Sequence, residues 1–345
     1  MTHRCLVSAS VVVVLVAGCL VTVPLAGQAP AAAAKSGTVS AAKAYTPPRT
    51  PDGQPDLQGF WTNSTYTPLE RPDKVTKEFY TPQEAIEAEK QAAARESAQT
   101  APGTVADVHY DFSQFALDRS QAPLARTLRT SLIVDPATGK LPPLTPEGQK
   151  RAAEREELSK TVGRWDSAET NQLDDRCIIM RGAGPPMMDA GYNSNYHIVQ
   201  APGYVMILTE MIHDVRIIPL DGRPLPNGKL RQWMGVSRGR WDGETLVVET
   251  TNFNGKNPFA GSSEQIRVTE RFTRLAADAI RYQFTVEDPA TWVKPWTAES
   301  ALIKTQGPIF EHACHEGNYG LYNTLVGARL EEKKAAEAAA KKGSK

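Results

Sequence analysis

The chain has 345 residues, with 39 lysines and arginines against 39 aspartates and glutamates and a formal net charge of zero. That balance creates no field to gather nucleic acid or an acidic membrane surface, so neither is expected as a partner on charge grounds. With 41% apolar residues, the length suits one large or two modest domains.

Residues 1–29 read as an export signal. Met1 to Arg4 is a short positive region, and Leu6 to Gly18 is an apolar stretch built around Val11 to Val14. That stretch is shorter than the ~20 residues of a membrane-spanning helix. Two exits compete. Val16-Ala17-Gly18-Cys19 has the form of a lipobox, which would leave a lipid anchor at Cys19 as the route to a membrane. Gly27-Gln28-Ala29 and the alanines at 31–34 offer ordinary cleavage and soluble release instead. The expected location is therefore the periplasm or the exterior, free or lipid-anchored to the envelope. Cys5 and Cys19 belong to the signal, which leaves Cys177 and Cys314. In an oxidising compartment these two most simply pair; the alternative is two buried free thiols. Closing so long a loop would stabilise the fold by ~5 kcal/mol in the chain-entropy model.

Residues 30–54, rich in Ala, Thr and Pro, read as a linker, and a single β-rich domain is expected over 55–329. A first helix near 82–98 is announced by Thr81-Pro82-Gln83-Glu84, a capping box with proline in the first turn. Leu132 to Pro136 suggests a short strand, and Thr145-Pro146-Glu147 opens a second helix near 146–160. Both helices have little apolar face, so this half is expected to wrap something else. From about Arg176 the chain turns to short alternating segments: 196–200, 204–211, 213–220, 230–240, 245–253, 265–274, 279–287, 297–304 and 309–314. Asp242-Gly243 between two such runs is a strong hairpin signal. The expected fold is mainly β, an antiparallel meander closing into a barrel or sandwich, with irregular and helical wrapping segments before it. Residues 330–345 read as a solvated charged tail.

The run Trp233-Met234-Gly235-Val236-Ser237-Arg238-Gly239-Arg240-Trp241-Asp242-Gly243-Glu244-Thr245-Leu246-Val247-Val248-Glu249-Thr250 resembles a motif of a group of exported bacterial proteins without an assigned activity. Pro55-Asp56-Leu57-Gln58-Gly59-Phe60-Trp61 and Cys314-His315-Glu316-Gly317-Asn318 extend the likeness over most of 51–329. More loosely, Gly59-x-Trp61 on a first strand before a meander is similar to lipocalin and calycin barrels, which implies a lipocalin-like barrel.

Alternate residues of a barrel strand face inward, so polar residues in phase with apolar ones mark candidate sites. Ile266, Val268, Glu270 and Phe272 share one face, as do Tyr204, Met206, Leu208 and Glu210. A bend after Met211 would gather Glu210, His213 and Arg216 at one barrel end, an acid, an imidazole and a guanidinium suited to proton transfer and oxyanion stabilisation. The structural alternative is a buried Glu210–Arg216 or Glu270–arginine pair that fixes strand register. Trp233, Gly235, Ser237, Gly239 and Trp241 read as one strand face whose small residues would leave room for a guest between two indoles. Tyr196, His197 and Tyr204 join this candidate ligand set, with Met187 on a Gly- and Pro-rich lid over 182–191. His312, His315 and Glu316 form a weaker candidate metal set; no metal and no cofactor is expected.

These features support an exported barrel holding a small apolar or amphipathic molecule in an interior pocket with polar anchors. An alternative is a cofactor-independent lyase, hydratase, isomerase or hydrolase using His213 as base in the same pocket. A third is a structural or partner-binding envelope protein, whose sign would be a filled barrel with an exposed apolar patch. Sequence alone sets neither ligand nor oligomeric state.

Overall fold

Segments of alternating polarity between 195 and 304 form most of a barrel-shaped sheet. The structure, a computed structural model, describes residues 45–96, 98, 123–180 and 182–343; the expected export signal and Cys19 lie outside the described residues. In chain order the elements are β1 (Gly59–Thr62), α1 (Pro82–Glu96), β2 (Ile133–Asp135), α2 (Pro146–Thr161), β3 (Asn195–Ala201), β4 (Tyr204–Thr209), β5 (Val215–Pro219), β6 (Val236–Asp242), β7 (Thr245–Thr251), β8 (Arg267–Ala276), β9 (Ala279–Glu287), β10 (Trp296–Lys304) and α3 (Tyr319–Gly343). No described helix is long and apolar enough to cross a membrane.

The helices stand where their caps place them. Glu84 accepts from the Thr81 N–H at 2.8 Å while the Glu84 N–H donates back to Thr81 Oγ1 at 3.3 Å, the reciprocal capping box. Thr145 Oγ1 likewise accepts from the Gly148 N–H at 3.0 Å, with Pro146 in the first turn of α2. Neither helix buries an apolar face; α1 has no buried residue and α2 only Gly148. The third helix starts at Tyr319, upstream of the expected tail boundary at 330. Of the expected linker, residues 45–54 are described; a bridge pairs Arg49 with Pro55, and the fully buried Leu57 follows in the core.

Strand order around the sheet is β5-β4-β3-β1-β10-β9-β8-β7-β6, with β2 pairing off this path onto β10. The first and last long strands meet, Trp61 opposite Lys304 and Thr62 opposite Ile303, so the meander closes upon itself. All eight ladders along the path are antiparallel. Nine strands joined this way leave the two ends, β5 and β6, running in the same direction. They lie side by side without a ladder: Arg216 meets Ser237, and Ile218 and Leu220 meet Gly239 two residues further along both strands. Same-direction neighbours require a crossover of a dozen residues or more, and 220–235 supplies it.

Inward positions are large and packed. Trp61, Tyr196, Tyr282, Phe272, Phe284 and Trp296 are each less than 2% exposed. Tilted and edge-on ring pairs link them, Phe272 to Tyr282 at 5.0 Å, Tyr282 to Phe284 at 5.7 Å and Phe284 to Trp296 at 5.8 Å. Burial of each such side chain is worth ~1.5–3 kcal/mol. The barrel is filled.

Three expectations need correction. Residues 309–314 form no strand, because after Gly307-Pro308 the segment finds no partner strand. Trp233 does not lie on β6, since Gly235 takes a left-handed φ of 66° and the strand begins only at Val236. On β4 the inward face is Val205, Ile207 and Thr209, leaving Tyr204, Met206 and Leu208 outside. With apolar residues at nearly every position of that strand, alternation gave no phase.

Candidate functional site

A buried polar network reaches inward from the seam between β5 and β6. Arg216 on β5 reaches across the seam to Glu270 on β8: Nη1 donates to Oε1 at 3.0 Å and Nη2 to Oε2 at 2.5 Å, with side chains 3% and 0% exposed. Nη2 also donates to Ser237 Oγ at 3.3 Å on β6, and that hydroxyl lies 2.8 Å from Thr250 Oγ1 on β7. Tyr282 donates to Glu270 Oε1 at 2.8 Å while accepting the Met187 N–H at 2.8 Å. Burial by itself would lower the Arg216 pKa, but the charge and hydrogen bonds of Glu270 outweigh it and raise the guanidinium above its ordinary value. Burial pushes the Tyr282 and Tyr196 phenols upward, so both remain hydrogen-bond donors. Both Glu270 oxygens are occupied by these hydrogen bonds. Arg216 thus clasps the two strands that the odd strand count leaves unpaired.

The expected grouping of Glu210, His213, Arg216 and Glu270 divides in two. Chain direction changes at Glu210, which adopts helical backbone angles, and Ile212 and His213 follow with left-handed φ of 58° and 48°. Glu210 is buried, accepts from Asn195 Nδ2 at 2.7 Å, and has its pKa raised mainly by burial. His213 is exposed, its Nδ1 lying 3.2 Å from the His312 carbonyl oxygen, which can only accept. Asp214, missed in the sequence, is pushed up to about 6 by burial, with the nearby His213 opposing. Arg216 instead points inward, away from this turn, so no acid, imidazole and guanidinium converge on one point.

Small residues on β6 leave no chamber. A side chain at Gly239 would come within 2.6 Å of Leu220 Cδ2 and 2.9 Å of Ile218 Cγ2; at Gly235 it would meet the Thr251 carbonyl oxygen at 2.5 Å. Ser237 is buried in the clasp, and Trp241 packs half-buried at the far end of β6. The expected lid is instead part of the core: Met187 is 1% exposed, and Tyr196 donates to the Gly182 carbonyl at 3.3 Å while accepting from Asn63 Nδ2 at 3.3 Å. His197 faces outward and stacks on Phe60 with ring centroids 4.3 Å apart. Tyr204 lies on the outer wall.

One cleft opens at the barrel mouth. Of about 470 Å³, it is walled by the turn 172–180, the Gly-Pro segment 182–186, Trp233, and the loop 253–266 with Phe253, Phe259 and Ile266. Trp233 is the one member of the candidate ligand set it contains; Ile266 of the expected apolar strand face and Gly182, Gly184, Pro185 and Pro186 of the expected lid line it too. The others come from irregular loops with no periodicity, though the aromatics Phe253 and Phe259 beside Gly255 and Pro258 were a signal of apolar side chains on a turn. Tyr282, also missed, was legible in phase with Ile280 and Phe284.

Cys177 and Cys314 form a disulfide with Cα atoms 5.7 Å apart, joining the cleft wall to the segment before α3. Among the described residues, His312, His315 and Glu316 do not gather, and no three His, Cys, Asp or Glu side chains are arranged to hold a metal ion. No family model matches the chain, and no curated protein matches it.

Proposed function

We propose that this chain is an exported barrel protein that holds a small, largely apolar molecule in the cleft at its mouth rather than in its interior. The observation that carries the reading is a half-buried Trp233 facing a cleft of about 470 Å³ above a barrel whose inside is fully packed. That volume falls in the range of small-molecule sites, and its walls have the usual character, apolar with a few polar groups. Phe253, Phe259, Ile179 and Ile266 supply the apolar surface, and the amide side chains of Gln172 and Asn257 supply neutral donors and acceptors. The disulfide supports the export part of the reading, because such bonds persist in oxidising compartments.

Retention of an environment-sensitive hydrophobic dye tests it. Trp233→Ala should weaken dye binding at least tenfold with the circular dichroism unchanged, while Tyr204→Ala, on the outer wall, should leave binding intact. Equal binding by both variants and the parent would defeat the cleft. A partner-binding reading draws on one further observation, the apolar side chains of Tyr319, Tyr322, Val326 and Leu330 along an exposed stripe of α3. Replacing Tyr322 and Leu330 by serine separates the two, since dye retention in the cleft does not depend on that stripe.

A further inference from the structure

One wall of the mouth cleft, residues 172–180, belongs to no strand or helix. Its own hydrogen bonds shape it without attaching it: Arg176 N–H to the Gln172 carbonyl at 3.3 Å, Cys177 N–H to Asp174 at 3.0 Å and Ile178 N–H to Leu173 at 2.9 Å. An ion pair from Arg164 to Asp175 at 2.6 Å is 42% and 32% exposed on its two sides, the class of pair worth ~0–1 kcal/mol. Ile179, 2% exposed, anchors one end in the core and Arg176 Nη1 donates to the Glu169 carbonyl at 3.4 Å, while three further attachments run to the turn before α3. They are the Cys177–Cys314 bond, and Asn318 Nδ2 donating to the Asp175 carbonyl at 2.8 Å and to Cys177 Sγ at 3.3 Å.

We propose that this disulfide is a reducible latch on the cleft wall, so that reduction loosens the wall and releases the bound molecule; the release rests on the mouth-cleft reading above. Cys314 is partly exposed and Cys177 is buried, so an incoming thiolate reaches the Cys314 sulfur first. Cys177 is then the leaving thiolate. Its sulfur lies against the Asn318 amide, and Asn318 Oδ1 caps α3 by accepting the Leu321 N–H at 3.2 Å. An amide donor and the N-terminus of a 25-residue helix both favour negative charge on that sulfur. A leaving thiol of low pKa departs faster. In the full step a dithiol forms a mixed disulfide with Cys314 and expels Cys177. Its second thiolate then closes its own disulfide and expels Cys314. The dithiol loses two electrons, and the protein gains two thiols with the two protons.

The folded protein with its native disulfide is titrated with dithiothreitol and followed by thiol counting, amide exchange and dye binding. On reduction, exchange over 173–180 should rise at least tenfold while β8 and β9 stay protected, and the dye dissociation constant should rise at least tenfold. Asn318→Ala should slow reduction several-fold at fixed dithiol, and Asn318→Asp, which keeps the cap but sets an anion beside the sulfur, should slow it further. Unchanged exchange in the fully reduced protein overturns the latch, and unchanged reduction rates in both variants overturn the role of Asn318. Exchange that rises while dye affinity holds overturns control of the ligand. If the disulfide-bonded protein retains no dye, the mouth-cleft reading itself fails together with ligand control, and exchange still decides whether the wall is tethered.

Discussion

Replacing Arg216 by methionine isolates what the interior clasp contributes. Glu270 is completely buried and takes two of its three hydrogen bonds from Arg216, so the variant leaves a carboxylate held by Tyr282 alone. Breaking a buried pair by removing one partner costs about 3–5 kcal/mol. The upper half of that range is expected, because Ser237 also loses its donor and the β5–β6 seam has no ladder to compensate. Out of a total stability of roughly 5–15 kcal/mol, such a loss moves the urea midpoint far to the left. Adding Glu270→Leu removes the stranded charge and should restore most of it, giving a coupling of at least ~2 kcal/mol in the double-mutant cycle. A single-variant loss under ~1 kcal/mol would refute the clasp.

Two further perturbations probe the same architecture. Gly239→Val drives a side chain into Leu220 and Ile218 across the seam and should cost about 1–3 kcal/mol, with faster amide exchange confined first to β5 and β6; an unchanged urea midpoint would mean the seam has slack. Asp214, raised to about 6 by burial, opposes the fold once ionised, so it favours the folded state below its unfolded value and that contribution is lost as pH rises toward 6. Asp214→Asn should therefore raise stability by on the order of 1 kcal/mol at pH 7.5, allowing for solvent screening, and change nothing at pH 3.5. Equal effects at both pH values would place the gain elsewhere than in the charge.

How much was legible depended on whether local pattern or distant partners decided the outcome. The strand β8 was readable: Val268, Glu270 and Phe272 alternate with polar residues and are fully buried, in phase with Ile266 just before the strand. The Asp242-Gly243 hairpin and both Thr-Pro helix starts followed from chemistry within four residues. The β4 sequence Tyr-Val-Met-Ile-Leu-Thr has no polar face, so only its ladders to β3 and β5 fix which side is inside. Trp233 was placed on the β6 face, but the left-handed turn at Gly235, beside the Gln232–Phe253 bridge and the close Thr251 carbonyl, lifts it off that strand to line the mouth cleft. Glu270 was identified as a carboxylate needing a partner, but the partner strand lies 54 residues away in sequence. Barrel closure, not local pattern, chose Arg216.

A carboxylate on an apolar strand face announces a buried cation without saying whether the cation is a ligand, a substrate or the protein's own. Here the strand count decides. An antiparallel meander of nine strands closes only by leaving two ends that run the same way, and such ends cannot form the antiparallel ladder used elsewhere in the sheet. They form no parallel ladder here either, and side chains join them instead: Arg216 on β5 donates to Ser237 on β6 and to Glu270 on β8. The polar residues expected to line a chamber are thereby consumed in closing the wall that would have enclosed it. On the mouth-cleft reading, binding falls to loops that closure does not require, the turn 172–180 and the loop 253–266, which wall the mouth cleft.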